Sequence, residues 1–165
     1  MLTSAGFDDM ATSALMDLDS ALFQWNRMAL KGEFPGQILA QMDTDLELGQ
    51  FHALTAVTRI VFGIGRDAPE QPTIGLLAEE MNIDPSRASR VASDLIARGY
   101  LRRDAAQEDG RKSILVMTDK ARDLFDQFRI RKWEKLIAMY STWTSEEISC
   151  FARLVGKYMD GIRRS

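Results

Sequence analysis

The chain has 165 residues, of which 45% are hydrophobic and 27% charged, enough for one ordinary domain or for two small ones that share a core. Its 21 basic and 24 acidic residues give a net charge of -3, which taken as an average argues against a protein that binds nucleic acid. One histidine, His52, and one cysteine, Cys150, exclude a four-ligand structural zinc site and a disulfide within the chain.

The N-terminal third is predicted to be helical and acidic. The start of the chain carries Asp where a signal peptide carries Lys or Arg, and no run of about 18 apolar residues occurs, which predicts a soluble, cytoplasmic protein with no membrane partner. A connector with a short helix is predicted for residues 33–47, and a second long helix from about Leu48 to Ile64. The first helix, from Asp8 to Lys31, has apolar residues at steps of three and four, typical of packing against another helix: Leu15, Leu18, Leu22, Trp25 and Ala29.

Two short helices separated by a tight turn are predicted next. Thr73 is placed to cap the segment IGLLAEEM, and Asn82 to Asp84 form the turn. Asp84 followed by Pro85 is the pattern of a helix start, because a proline in the first turn needs no N–H donor. Gly99 ends this helix, since glycine adopts the left-handed conformation at little cost.

A hairpin and two more helices complete the chain. The segments YLRRD and SILVMT, on either side of the polar AAQEDGRK, predict two short strands around a loop. Thr118 caps a long helix that extends to about Tyr140, and Thr144 with Glu147 has the spacing of a capping box for the last helix. The apolar seam of that helix consists of Ile148, Phe151, Val155, Tyr158 and Ile162. Cys150 lies close to this seam and is predicted to be a packed or partly buried thiol.

The predicted order is that of a winged helix-turn-helix, in which the second helix of the motif enters the major groove of DNA. Small side chains on its outer face allow close approach to DNA, serine hydroxyls can contact base edges or phosphates, and arginine can bind guanine with two hydrogen bonds. An ordinary solvated helix face is the alternative, but such faces usually carry Glu and Lys pairs and this one has neither. The predicted DNA-binding residues of this face are Ser86, Arg87, Ser89, Arg90 and Ser93.

Positive charge is concentrated around this helix and the hairpin. Residues 86–112 contain seven cations against four anions, whereas residues 1–65 contain three cations against eight anions. A solvated charged surface would also account for these counts. At the hairpin turn, Arg111 and Lys112 are predicted to contact DNA in the minor groove, with Asp109 pairing with Arg111 to set its direction.

The segment from Asp84-Pro85-Ser86 to Gly99-Tyr100-Leu101-Arg102-Arg103, followed by Asp109-Gly110-Arg111 and Met117-Thr118, resembles the multiple-antibiotic-resistance regulator (MarR) family. The resemblance implies a mainly α (α+β) protein: a winged helix-turn-helix DNA-binding domain at 48–118, and a helical dimerisation region formed by 1–47 and 119–165. It also implies a homodimer that binds a roughly palindromic double-stranded operator. Family members commonly act as repressors that are released by small phenolic or amphipathic ligands.

An effector cleft would lie between the two regions. Arg59 is the candidate partner for an anionic effector group, and Thr73 is a candidate phosphate contact at a helix N-terminus, although capping alone would explain it. The candidate pocket consists of Trp25, Met28, His52 and Arg59.

No residue pattern supports an enzyme, a cofactor or a metal site. The alternative function, favoured by the overall negative charge, is a winged-helix protein-interaction adaptor without a DNA partner. The sequence leaves open the operator, the effector, the regulated genes and whether the protein represses or activates.

Overall fold

The computed structural model describes residues 2–105 and 113–164. Each predicted helix and strand is present there, and a short 3-10 turn at Thr3–Ala5 is added. In chain order the elements are α1 (Asp9–Leu30), α2 (Glu33–Leu39), α3 (Leu48–Phe62), α4 (Ile74–Met81), α5 (Pro85–Ala97), β1 (Leu101–Ala105), β2 (Ser113–Met117), α6 (Asp119–Tyr140) and α7 (Ser145–Arg164). The mainly helical fold with a small antiparallel sheet is confirmed.

The predicted caps begin their helices as expected. The side chains of Thr73, Asp84 and Thr118 each accept a hydrogen bond from the backbone N–H three residues further on, at 3.2, 2.8 and 3.4 Å. Thr144 and Glu147 bond each other reciprocally through side chain and backbone. These contacts satisfy N–H groups that a helix start otherwise leaves without a partner.

Helix α3 ends two residues earlier than its apolar pattern predicts. Gly63 follows Phe62 with a φ of +65°, and a Cβ at Gly63 would lie 2.8 Å from the backbone nitrogen of Pro69. The returning chain therefore approaches too closely for any side chain at this position. The prediction that α3 extends to Ile64 is wrong for this reason.

Helix α3 lies at the centre of the core. Its residues Leu54 and Val57 are fully buried, together with Leu77 of α4 and Leu95 of α5. The core continues beyond the segment 48–118 on both sides, to Leu39 and Leu46 before it and to Ala121 and Leu124 after it. The division of the chain into a DNA-binding domain and a dimerisation region stays a prediction.

The two strands form an antiparallel ribbon against this core. Leu101 pairs with Met117 and Arg103 with Leu115. The backbone N–H of Leu115 also donates to the carbonyl oxygen of Pro72 at 2.8 Å, just before α4. The ribbon is thereby attached to the start of the helix-turn-helix.

Helix α7 exposes its apolar side. No side chain of α7 is buried in the single chain, and Cys150 on this helix is exposed. The prediction that Cys150 is a packed or partly buried thiol is therefore wrong for the single chain. The described residues contain no helix long and apolar enough to cross a membrane. The apolar stripe of α7, whose side chains are 41–51% exposed, consists of Ile148, Phe151, Leu154, Val155, Tyr158, Met159 and Ile162.

Candidate nucleic-acid interface

Helices α4 and α5 form a helix-turn-helix around Asn82. Asn82 adopts the left-handed conformation with a φ of +52°, which asparagine tolerates better than most residues. Ala88, Ala92 and Leu95 are fully buried on the inner face of α5. Helical spacing alone predicts one inner face for Ala88, Val91, Ala92 and Leu95, and the structure confirms it, with Val91 half-buried. The opposite face points away from the core.

Four of the five predicted DNA-binding residues of α5 are exposed together on that outer face. They are Ser86, Arg87, Arg90 and Ser93, and Ser89 is half-buried beside them. The face combines small hydroxyl side chains with two arginines at the end of the helix nearest the turn. Its geometry suits a helix whose first turns enter a groove.

Ser86 also takes part in starting the helix. Its hydroxyl donates to the carboxylate of Asp84, which accepts the backbone N–H of Arg87 as well. The hydroxyl of Ser86 and then the N–H of Arg87 lower the pKa of Asp84. With its proton directed to Asp84, Ser86 can offer a DNA group only its acceptor lone pairs in this arrangement.

Two of the cations within residues 86–112 are paired with carboxylates. Arg98 is paired with Asp94 and Asp45, each at 3.1 Å, and these carboxylates raise its pKa, Asp94 the more. Arg102 is paired with Asp104 at 2.6 Å. Neither arginine is therefore a free cation for phosphate.

Three other cations are without a carboxylate partner among residues 2–105 and 113–164. Arg87 and Arg90 lie on α5, and Arg103 lies on β1; all three are exposed. Arg90 donates only to its own helix, to the carbonyl oxygen of Ser86 at 3.4 Å. The sequence predicts no DNA contact for Arg103; its exposed position on β1, which follows the helix-turn-helix, adds it to the candidate interface.

The predicted contacts of the hairpin turn, Asp109, Arg111 and Lys112, lie outside the described residues. The strands on either side of them, β1 and β2, are paired in register from Leu101 to Ala105. The roles assigned to the turn residues stay predictions.

Thr73 caps α4 and is half-buried, so the capping role is confirmed and the phosphate contact stays a prediction.

The C-terminal part of α4 is held by an ion-pair network. Glu80 accepts from Arg59 at 2.6 Å and from Arg66 at 2.9 Å, and these two arginines, Arg59 first, lower the pKa of Glu80. The network fixes α4 to the end of α3 and to the loop that follows α3.

The candidate effector residues are spread over two helices. Trp25 and Met28 are exposed on α1, at 66% and 46%. His52 is exposed near the start of α3, where its ring lies close to Gly32, and burial lowers its pKa with a smaller contribution from Arg59. Arg59 itself is already paired with Glu80.

None of the four candidates lines a cavity of about 350 Å³ that lies beside α6. That cavity is bounded by Asp43, Tyr100, Lys120, Asp123, Leu124 and Gln127. The effector pocket stays a prediction.

Comparison with known structures supports the same fold over most of the chain. A MarR family protein from Bacillus stearothermophilus has a TM-score of 0.70 and 16% identity, covering 92% of this chain and 97% of its own. A transcriptional regulator from Thermotoga maritima has a TM-score of 0.66 and 20% identity, covering 90% and 96%. A mutant of S. aureus MepR bound to an oligodeoxyribonucleotide has a TM-score of 0.59 and 18% identity, covering 87% and 96%; MepR has also been solved bound to ethidium bromide.

No curated protein matches the sequence significantly. A family model described as MarR family matches residues 45–112, a range that contains α3, the helix-turn-helix and β1 and ends before β2. The resemblance inferred from the motifs between Asp84 and Arg111 is thereby confirmed. Over residues 45–112 this chain is similar to the MarR family.

Proposed function

We propose that the protein is a homodimeric transcriptional regulator that binds a palindromic double-stranded operator through α5 and the hairpin. The observation that carries the proposal is the distribution of free cations. Arg87, Arg90 and Arg103 are exposed and without carboxylate partners in the described chain, whereas Arg98 and Arg102 are neutralised. Unpaired cations on an exposed helix face suit phosphate binding, and the oligonucleotide bound to MepR, a protein of the same fold, supports the same use here.

The dimer is supported by surfaces that one chain leaves uncovered. The apolar stripe of α7 contains seven large side chains, each close to half exposed, on one side of a 20-residue helix. A stripe of this length is typical of a protein interface. A twofold dimer would cover it with the same surface of a second copy and would present two recognition helices to the two halves of a palindrome.

We further propose that the regulator is a repressor released by a small amphipathic or aromatic molecule. Trp25 and Met28 expose apolar surface on α1, which an aromatic ligand or the second protomer would cover. Ethidium, bound by MepR, is an aromatic ligand of this general kind. Because Glu80 neutralises Arg59, an anionic effector would have to compete with this carboxylate for Arg59.

The test is a mobility-shift titration with a duplex selected from random DNA by the unsubstituted protein. Arg90→Ala should raise the dissociation constant about ten- to hundredfold if Arg90 contacts a base, and Arg111→Ala tests the hairpin in the same way. Arg129→Ala is the matched control, because Arg129 is an exposed arginine on α6, away from α5 in the sequence and paired with Asp126.

The proposal predicts that the control binds as the unsubstituted protein does. Equal affinity for all four proteins would mean that the assigned surface is wrong. Selection of no duplex at all would favour the protein-interaction adaptor.

A further inference from the structure

A cluster of polar side chains joins the end of the recognition helix α5 to the loop between α2 and α3 and to the first turn of α6. None of its members lies on the outer face of α5, and none is among the predicted DNA-binding residues. We call it the junction cluster; it consists of Asp45, Gln50, Asp94, Arg98, Tyr100 and Lys120.

Tyr100 is the most buried member, with 3% of its surface exposed. It follows Gly99, which ends the turn after α5 with a φ of +76°. The Tyr100 hydroxyl donates to Asp45 at 2.9 Å, and its carbonyl oxygen accepts from the N–H and the hydroxyl of Thr118, both at 3.1 Å. One residue thus binds the α2–α3 loop with its side chain and the start of α6 with its backbone.

Arg98 strengthens the same connection. Its Nη1 donates to the carboxylate of Asp45 at 3.1 Å and to the Asp45 carbonyl oxygen at 3.0 Å. Its Nε donates to both carboxylate oxygens of Asp94, one turn earlier on α5, and Asp94 also accepts from the side-chain amide of Gln50 on α3. The last turn of α5 is therefore held from the loop and from α3.

Lys120 supplies the contact from α6. Its Nζ donates to the carbonyl oxygen of Arg98 at 2.9 Å and lies 4.1 Å from the centre of the Tyr100 ring. A lysine bonded to a carbonyl at a helix C-terminus satisfies a group that the helix leaves without a partner and interacts favourably with the helix dipole. The end of α5 and the beginning of α6 are fixed to each other in this way.

We propose that Tyr100 and Asp45 are positioning residues for DNA recognition. Their hydrogen bond holds Tyr100, whose backbone binds the start of α6, against the α2–α3 loop, and it thereby helps to set the direction of α5 relative to α6. This inference rests on the proposed function, in which α7 meets the partner protomer while α5 meets DNA. The distance between the two recognition helices of a dimer then depends on the angle between α5 and α6 in each protomer. That distance determines which separation of half-sites the dimer prefers.

Two substitutions remove the bond, and each has one further loss that the other avoids. Tyr100→Phe also removes a 3.4 Å contact of the hydroxyl with the Thr44 hydroxyl, and Asp45→Ala also removes a carboxylate that is paired with Arg98. Tyr100→Phe keeps the buried ring and its contact with Lys120 but deletes the hydroxyl. Asp45→Ala deletes the acceptor from an exposed loop residue. Asp43→Ala is the matched control: Asp43 is exposed two residues earlier in the same loop, its substitution removes the same charge, and it makes no hydrogen bond to α5 in the part of the chain that the structure describes.

The measurement uses the full-length protein and the duplex that the unsubstituted protein selects, with versions in which one or two base pairs are added or removed between the half-sites. Tyr100→Phe and Asp45→Ala should each weaken binding to the selected duplex about three- to tenfold relative to Asp43→Ala, the value of one hydrogen bond. They should leave the salt dependence unchanged, because no phosphate contact is removed. Their preference for the selected spacing over the altered spacings should be smaller than that of the unsubstituted protein.

An unchanged spacing preference in both variants would overturn the positioning role, as would an equal change in Asp43→Ala. Thermal melting and sedimentation of each variant identify a general loss of folding or of the dimer; if Tyr100→Phe does not fold, Asp45→Ala decides the result. Failure of the unsubstituted protein to bind any duplex would refute the proposed function itself. If the unsubstituted protein binds its duplex and the two variants keep its affinity and spacing preference, only the positioning role is refuted.

Discussion

The apolar stripe of α7 gives a prediction whose size can be worked from the structure. Val155 is 42% exposed, and full burial of a valine side chain contributes about 1.5–3 kcal/mol, so covering the exposed part contributes about 1 kcal/mol. A twofold interface contains the residue twice, giving about 2 kcal/mol for the dimer. Val155→Asp removes this contribution and adds two carboxylates that must lose water, so the dissociation constant of the dimer should rise at least about thirtyfold.

Sedimentation velocity over a range of concentrations measures this change. Ser149→Asp is the matched control, because it adds the same charge to the polar side of α7, where the Ser149 hydroxyl bonds only the carbonyl oxygen of Ser145 in its own helix. The unsubstituted protein and Ser149→Asp should sediment as dimers at concentrations where Val155→Asp is monomeric. A monomeric unsubstituted protein, or equal association of the two variants, would refute the assignment of α7 to the interface.

Three further predictions concern stability and are measured by urea unfolding. Asp84→Ala should lower the free energy of unfolding by about 1 kcal/mol through loss of the cap of α5, and an unchanged value would show that the cap is not used. Gly63→Ala should cost about 1–3 kcal/mol, because a left-handed residue and a Cβ 2.8 Å from the Pro69 nitrogen are both unfavourable; Gly65→Ala, where φ is +75° but no atom lies near, should cost less. Glu80→Gln should lower the free energy of unfolding by about 1–2 kcal/mol at pH 7, a loss between those expected for an exposed and for a buried ion pair. The pKa of Glu80 is lowered in the folded protein, so its contribution to stability is complete above the unfolded pKa and is lost as pH falls through the folded pKa. The difference in unfolding free energy between Glu80→Gln and the unsubstituted protein should therefore shrink below about pH 4. A difference that does not change with pH would contradict the pairing.

Local signals in the sequence predicted the elements well because their causes are local. The start of α5 is set by Asp84, which caps the helix, and by Pro85, its first residue. The start of α6 is set in the same local way by its cap, Thr118. The inner face of α5 followed from spacing alone, since any helix with Ala88 and Leu95 at these positions buries them together. The features that carry the fold and the recognition surface were therefore largely predictable.

Features that depend on the approach of distant segments were not predictable. The end of α3 is set by Pro69, which returns close to Gly63. The bond between Tyr100 and Asp45 joins residues 55 positions apart and has no pattern in the sequence. The exposure of Cys150 and of the α7 stripe follows from a surface that one chain does not cover, which a helical period cannot distinguish from packing within the chain.

The free cations also change the meaning of the net charge of -3. An average over the chain hides three exposed arginines per protomer, two on α5 and one on β1, among the residues that the structure describes. A dimer would present six of them while acidic segments elsewhere, such as residues 1–65, disfavour nonspecific adhesion.

The salt dependence of DNA binding tests the central claim most directly. Fluorescence anisotropy of a labelled selected duplex should be titrated with the unsubstituted protein at several salt concentrations between 50 and 200 mM. Six cations that neutralise phosphates should lower the affinity about a thousandfold over this range. Absence of binding, or an affinity that does not change with salt, would contradict a DNA-binding role for this surface.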